Sequence, residues 1–127
     1  MKFIVLLGRI FFSAIFILGS LSHFTEEAAQ YAASQGVPQA EVVVPLSGAI
    51  ALIGGLCILF GFFARFGAWL IVIFLVPVTF MMHQFWGDMA PTVAAIQKIM
   101  FMKNLSMLGG ALLITYFGAG PVSFDKK

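Results

Sequence analysis

Six polar side chains are candidates for binding chemistry in a chain that is otherwise strongly apolar. They comprise a guanidinium, two imidazoles, an ammonium, an amide and a carboxylate, at Arg9, His23, Glu41, His83, Lys103 and Asn104. Cationic, imidazole, amide and carboxylate groups form hydrogen bonds with polar atoms of a ligand, so this set suits a binding site. The set contains no complete catalytic constellation. The sequence therefore predicts binding, and it supplies no basis for claiming an enzyme.

The first of these residues belongs to a polar stripe. Arg9, Ser13, Phe16, Ser20 and His23 follow one another at spacings of four, three, four and three residues, which keeps them on one face of a helix. A polar stripe in a membrane helix normally faces the bundle interior or a cavity. Arg9 is also near enough to the start of the helix for its side chain to extend to the lipid headgroups. Both interpretations are open on the sequence alone.

The other candidates lie near the ends of apolar runs. His23 closes the first run, Glu41 opens the second, and His83 ends the third, while Lys103 and Asn104 come about one turn into the fourth. An up-down bundle brings these ends together, which predicts a shallow polar pocket formed by all five residues. The competing interpretation is an interfacial histidine beside a belt tryptophan, and a lysine that extends towards the headgroups.

The methionines and the cysteine are the residues that could support metal or redox chemistry. Six of the seven methionines surround the same predicted end of the bundle, at Met81, Met82, Met89, Met100, Met102 and Met107. Thioethers beside His83 are ligands that Cu(I) accepts, but no repeated Met-x-x-Met spacing supports a metal, so packing is preferred and no metal site is predicted. Cys57 is the single cysteine, which excludes an intramolecular disulfide and a CxxC redox pair.

Four apolar runs supply the elements that must position these residues. The chain has 127 residues, of which 61% are hydrophobic and 9% charged, and its mean hydropathy is +1.06. A helix needs about 20 mostly apolar residues to cross a bilayer. The runs predict one all-α domain, residues 1–127, an up-down-up-down bundle with helices at about 3–22, 42–64, 66–86 and 99–117. A short surface helix is predicted in the first loop, at residues 24–34.

The distribution of basic residues predicts the orientation. Lys2, Arg65, Lys126 and Lys127 fall on one side of the predicted bundle. The positive-inside rule therefore places both termini in the cytoplasm, in a multi-pass protein of a prokaryotic inner membrane. The first run also has features of a signal peptide, but its length and the presence of Arg9 favour a retained helix. The apolar runs predict a lipid bilayer as partner, and the scattered basic residues form no patch for nucleic acid.

Several segments together resemble the DoxX family of small four-helix membrane proteins. The resemblance covers nearly the whole chain and rests on Gly8–Ile10, Gly19–Phe24, Ala51–Leu56, Gly61–Arg65, Phe80–Trp86, Lys103–Gly110 and Gly118–Pro121. It implies the four-helix fold, and it implies that Arg9, His83, Lys103 and Asn104 are family-like polar positions. Founding members of the family are subunits of quinone-linked sulfur oxidation. This chain has no haem, flavin or iron–sulfur motif, so that chemistry does not carry over residue by residue.

Three functional hypotheses follow. The first is an accessory membrane subunit that binds a quinone or docks a redox partner protein. The second is a carrier whose polar pocket accepts a small solute or metal. The third is a structural helper without a ligand, alone or as a homo-oligomer. No cofactor is evident, and quinone is the cofactor that the first hypothesis allows. Under that hypothesis any part in an oxidoreductase complex would be that of a non-catalytic subunit.

Overall fold

A computed structural model describes residues 2–125 and contains five α-helices. Their bounds are α1 Lys2–Ser20, α2 Glu26–Ser34, α3 Ala40–Phe60, α4 Ala64–Met82 and α5 Pro91–Phe117, with a 3₁₀ turn at Leu21–Phe24. Four helices, counting α1 with its 3₁₀ turn, are long and apolar enough to cross a membrane. No strand occurs between residues 2 and 125. The predicted all-α bundle of four spanning helices is confirmed, and α2 is the short helix predicted in the first loop.

Three predicted helix boundaries were wrong by at least a turn. The second helix, predicted to reach residue 64, ends at Phe60, because Gly61 adopts a left-handed conformation with φ 64°. The third helix, predicted to reach residue 86, ends at Met82, because His83 leaves the helical region with φ −123°. The fourth, predicted from residue 99, begins at Pro91. Proline is suited to the first turn of a helix, since its missing N–H has no partner there. Residues 91–98 are polar enough to resemble a loop, yet they form two turns of α5 beyond the apolar run.

Small residues allow the helices to approach closely. Helix α1 packs on α3, α3 on α4, and α4 on α5. A Cβ added to Gly54 would lie 2.8 Å from the carbonyl oxygen of Gly67, so the backbones of α3 and α4 touch there. Lipid tails provide no hydrophobic drive between helices, so such approaches supply van der Waals contact instead. On α5, Gly110 allows a similarly close approach, in this case to the side-chain ring of Phe12 on α1.

The buried core lies between α3, α4 and the helices on either side. Its members are Phe16, Ile58, Ala68, Ile71, Leu75 and Ala111. A second, smaller cluster lies beneath α2 and is formed by Ala29, Ala32, Ala40 and Val44. Helix α2 begins at Thr25, whose hydroxyl accepts a hydrogen bond from the amide of Ala28 at 3.2 Å. This cap and the alanine face hold α2 against the start of α3.

The bundle has two chemically different ends. The loop end consists of residues 21–40 and 83–90, and the terminal end consists of residues 60–64 and 118–125 together with the start of α1. Lys126 and Lys127, which contributed to the predicted orientation, lie outside the described residues. The six predicted site residues divide unequally between these ends.

Candidate ligand-binding groove

An apolar groove opens at the loop end, beneath α2 and between α3 and α4. Its volume is about 400 Å³. The floor is formed by side chains of α3 and α4, including Ile50, Phe74, Pro77 and Val78, and the roof by Ala28, Tyr31 and Ala32 of α2. Two of the predicted site residues, His23 and His83, line it. The groove thus combines a long apolar interior with two imidazoles, a combination typical of sites for small lipophilic ligands.

His23 is held in the groove from one side. Its Nδ1 lies 3.1 Å from Oγ of Ser47 on α3. The Ser47 hydroxyl donates its own proton to the carbonyl oxygen of Val44 at 2.7 Å. The His23 ring also lies 5.5 Å from the ring of Phe74, centroid to centroid. Gly48 makes this position available, because a Cβ there would lie 2.5 Å from Cβ of His23.

His83 is held in a similar way by α5. It follows the last residue of α4, and its Nδ1 lies 3.0 Å from Oε1 of Gln97. Met81 and Met82 line the groove beside it. The hydrogen bond depends on the first two turns of α5, which were predicted to be a loop. Gln97 was therefore not predicted as a partner of His83. Its one available signal was that of a polar residue just before the apolar run, a position typical of the membrane interface.

The other three residues that were expected to converge with the histidines do not line the groove. Glu41 is exposed in the first turn of α3, and Lys103 is exposed on α5 with its Nζ 3.4 Å from Sδ of Met100. Asn104 is buried, 4% exposed, at the helix interface of α5. The structure brings together two of the five residues expected to converge. Lys103 and Asn104 are adjacent in sequence and so point about 100° apart on α5, which prevents both from facing one site.

Arg9 lies at the opposite end and faces the interior of the bundle. Its side chain is only 4% exposed, which favours the interior interpretation over extension to the headgroups. The Nη2 group donates to the carbonyl oxygen of Val122 and lies 3.5 Å from that of Pro121. Nε and Nη1 have no hydrogen-bond partner among the described residues. The arginine thus binds the returning C-terminal segment instead of contributing to the groove.

Asp125 completes this terminal arrangement and was not singled out from the sequence. Its Oδ1 accepts from the amide of Phe63 at 2.6 Å, and its Oδ2 accepts from the amide of Ala64 at 2.9 Å. These are unpaired amides at the start of α4, where a carboxylate is favoured by the helix dipole. The amide of Phe124 also donates to the carbonyl oxygen of Phe60 at 3.3 Å. A long-range cap of this kind has no local sequence signature.

A second, larger cavity of about 690 Å³ lies at the terminal end, between the start of α4 and residues 117–120. None of the six predicted site residues lines it. One of its two charged groups is already engaged, because Asp125 caps α4, and the other, Arg65, is an exposed side chain that lies against Gly118, where a Cβ would be 3.0 Å from its Nε. The loop-end groove is therefore the better candidate site, because each of its two imidazoles is hydrogen-bonded, among the described residues, at Nδ1 only.

The described side chains around the groove do not form a metal site. No group of three or more His, Cys, Asp or Glu side chains within residues 2–125 is placed to hold a metal ion. Cys57 lies in α3, partly buried. The histidines and methionines of the groove consequently receive no metal assignment.

The fold and the groove define a class, that of small multi-pass membrane proteins built from four spanning helices. The model of the DoxX family matches residues 4–84, which include α1 to α4 and both histidines. The chain belongs to the DoxX family. This confirms the resemblance found in the sequence. No solved structure matches the chain at a significant level.

Relatives of this chain include two membrane proteins of Escherichia coli strain K12. It is 34% identical to inner membrane protein YqjF over 124 residues, which cover 96% of this chain and 89% of the relative. It is 28% identical to inner membrane protein YphA over 126 residues, 98% of this chain and 89% of the relative. Similarity extends to the ER-derived vesicles protein ERV29 of Saccharomyces cerevisiae, 31% identical over 78 residues, which cover 61% of this chain and 25% of that protein.

Proposed function

We propose that this DoxX-family protein binds a lipid-soluble molecule of the quinone class in the loop-end groove, as an accessory subunit of a membrane redox system. The observation that carries the proposal is the pairing of a mainly apolar groove of about 400 Å³ with two imidazoles at its rim. A quinone has an apolar tail and a small headgroup whose oxygens form hydrogen bonds. The groove has the corresponding division between apolar floor and polar rim.

Burial and accessibility support the same assignment. His23 and His83 are both partly exposed, so a ligand can reach them, whereas the polar groups deeper in the bundle are covered. The groove opens among helices that face lipid, so a membrane-dissolved ligand can enter laterally without crossing water. A polar solute would have to contact the apolar floor formed by residues such as Ile50 and Phe74. These features favour a lipophilic ligand over the small-solute carrier.

The test is direct binding. The protein is purified into lipid nanodiscs, and a short-chain benzoquinone and its hydroquinone are titrated separately while heat release is measured, with empty nanodiscs as the blank. His23→Ala and His83→Ala should each weaken binding of the form that the native protein holds more tightly by more than tenfold, because a ligand oxygen that loses its hydrogen-bond partner typically loses about 1.5–3 kcal/mol. Lys103→Met is the matched control, since Lys103 lies outside the groove.

The outcomes separate the functional hypotheses. Equal binding by all three variants would locate the quinone elsewhere, and no binding by the native protein would favour the structural helper. Native mass spectrometry of the same preparation would reveal a redox partner protein or a homo-oligomer, as an accessory subunit requires.

We also propose that the protein resides in a prokaryotic inner membrane with both termini in the cytoplasm. The positive charges at Lys2, Arg65, Lys126 and Lys127 support that orientation. The inner-membrane names of the two Escherichia coli relatives support the compartment. With this orientation the groove faces the periplasmic leaflet.

A further inference from the structure

The polar groups of the groove have a consistent hydrogen-bonding direction. Among the described residues, five polar side chains line the groove: Ser22, His23, Tyr31, Ser47 and His83. What each can offer a ligand depends on which protons are already committed within the protein. These commitments can be followed bond by bond.

The two serine hydroxyls have no proton left to donate. Ser47 Oγ donates to the carbonyl oxygen of Val44 at 2.7 Å, and Ser22 Oγ donates to that of Gly19 at 2.9 Å. A hydroxyl carries one proton and two lone pairs, so each serine oxygen can only accept a further bond.

This commitment fixes the tautomer of His23. Since the Ser47 proton goes to Val44, the 3.1 Å contact between Nδ1 of His23 and Oγ of Ser47 requires Nδ1 to carry the proton. In a neutral imidazole the other nitrogen then has a lone pair and no hydrogen. His23 therefore presents Nε2 as an acceptor.

His83 has the same tautomer for a different reason. Its Nδ1 lies 3.0 Å from Oε1 of Gln97, and an amide oxygen is an acceptor only. With the amide oxygen of Gln97 in this position Nδ1 donates, and Nε2 of His83 is then also an acceptor. Two imidazoles from different parts of the chain thus have the same polarity at one groove.

The backbone of α4 also has a carbonyl group without its helical hydrogen-bond partner at a residue that lines the groove. Pro77 lines the groove and has no N–H, so the carbonyl of Ile73, one turn earlier and also at the groove, lacks its usual helical partner. Tyr31 is the exception among the polar side chains, since its phenol can donate, but it is 51% exposed on α2. The polar groups of the groove are otherwise lone pairs that require a donor.

We infer that the groove selects a lipophilic ligand whose headgroup donates hydrogen bonds, namely a hydroxylated aromatic such as a hydroquinone, in preference to the corresponding quinone. The inference rests on the proposed function and specifies the form of the ligand. A quinone offers only carbonyl acceptors, which would face the lone pairs of His23 and His83. The hydroquinone replaces those repulsive contacts with two O–H donors, at nearly the same size and shape.

The decisive experiment compares three ligands that share one tail. The native protein in nanodiscs is titrated, under argon and with EDTA present, with a short-chain quinone, its hydroquinone and the hydroquinone dimethyl ether. The hydroquinone should bind about tenfold or more tightly than either of the others, because it alone supplies donors. Preference for the quinone, or equal binding of all three, overturns the inference while leaving the proposed function intact. Binding of none overturns both.

Two variants test the tautomer argument separately. Gln97→Leu removes the acceptor that holds the proton on Nδ1 of His83, so the hydroquinone preference should fall while the quinone still binds. Gln84→Leu is the matched control, because Gln84 is next to His83 in sequence but donates to the carbonyl of Phe80. Equal preference in the two variants would contradict the role given to Gln97.

Nitrogen-15 spectra provide a readout that does not depend on a ligand. The chain contains two histidines, so ¹⁵N-histidine labelling gives two imidazoles to assign. Both should show the Nδ1-protonated tautomer at a pH where they are neutral, and Gln97→Leu should shift the population of His83 alone. Nε2-protonated rings in the native protein would overturn the inference.

Discussion

The two ends of the bundle use polar groups in opposite ways. At the terminal end the guanidinium of Arg9 and the carboxylate of Asp125 are bound by the chain's own backbone, at Val122, Phe63 and Ala64. At the loop end, His23 and His83 line a groove, and within residues 2–125 each has only its Nδ1 bound by the protein. The comparison shows that a polar residue in a membrane helix is not by itself a sign of a binding site. What matters is whether the hydrogen-bonding groups that remain free can be reached: Nε and Nη1 of Arg9 are free of partners among the described residues but buried, whereas the two histidines line an open groove.

The largest expected contrast between the ends is in their accessibility from the two sides of the membrane. Single cysteines at Glu27 and at Asp88, in a Cys57→Ala background, should be labelled by an impermeant maleimide added outside. A cysteine at Lys126 should be labelled only after the membrane is opened. The reverse pattern would invert the proposed orientation and leave the four-helix fold as it is.

The next effect is a loss of stability at the terminal end. Arg9→Met should destabilise the protein by about 1.5–3 kcal/mol, because it removes a charged donor from the partly buried carbonyl groups of the C-terminal segment. Thermal unfolding in detergent measures this loss, and hydroquinone binding by the folded variant serves as the internal control. The comparison between ends fails if binding falls as strongly as stability, because Arg9 would then act on the groove.

Gly48→Ala should give the opposite pattern at the loop end. The added methyl group would lie 2.5 Å from Cβ of His23, so the histidine must move. Ligand binding should fall about tenfold, as expected for the loss of one hydrogen-bond partner, while unfolding changes by less than in Arg9→Met. Gly109→Ala, at a position with no neighbouring atom within 4 Å, is the control and should change neither property.

The smallest expected effect is that of Asp125→Asn. The amide oxygen can still accept one of the two amide hydrogen bonds at the start of α4, but the favourable interaction of a negative charge with the helix dipole is lost. We expect a decrease of about 0.3–1 kcal/mol in the free energy of unfolding, at low salt. An unchanged denaturation midpoint would show that the carboxylate is dispensable.

Periodicity and apolar length were sufficient to predict much of this molecule. The four spans, α2 and the inward face of the Arg9 stripe all depend on local pattern, and local pattern is what a sequence displays directly. Ser13 and Ser20, on the same stripe, are 0% and 2% exposed. Each follows from helical geometry and from the cost of placing polar groups in lipid.

The missing parts depend on contacts between distant residues. Asp125 caps a helix that begins 61 residues earlier, and Gly48 matters only because His23 lies against it. The predicted convergence of Lys103 and Asn104 with the histidines relied on the depth of each residue in the membrane. Depth concerns the position of a residue along the helix axis and does not determine the direction in which its side chain points around that axis. Rotation of α5 against α4 is determined by packing, as at Ala111, and therefore could not be derived from depth alone.

The bond between Arg9 and the C-terminal segment also imposes an order on biosynthesis. Arg9 is made long before its acceptors at Pro121 and Val122, which follow 112 and 113 residues later. Throughout translation of the other helices the guanidinium has to find water or headgroups, since its final partners do not yet exist. The first span is therefore the last to be completed, and a ribosome that stops before residue 121 releases a chain whose first helix still carries an unpaired charge.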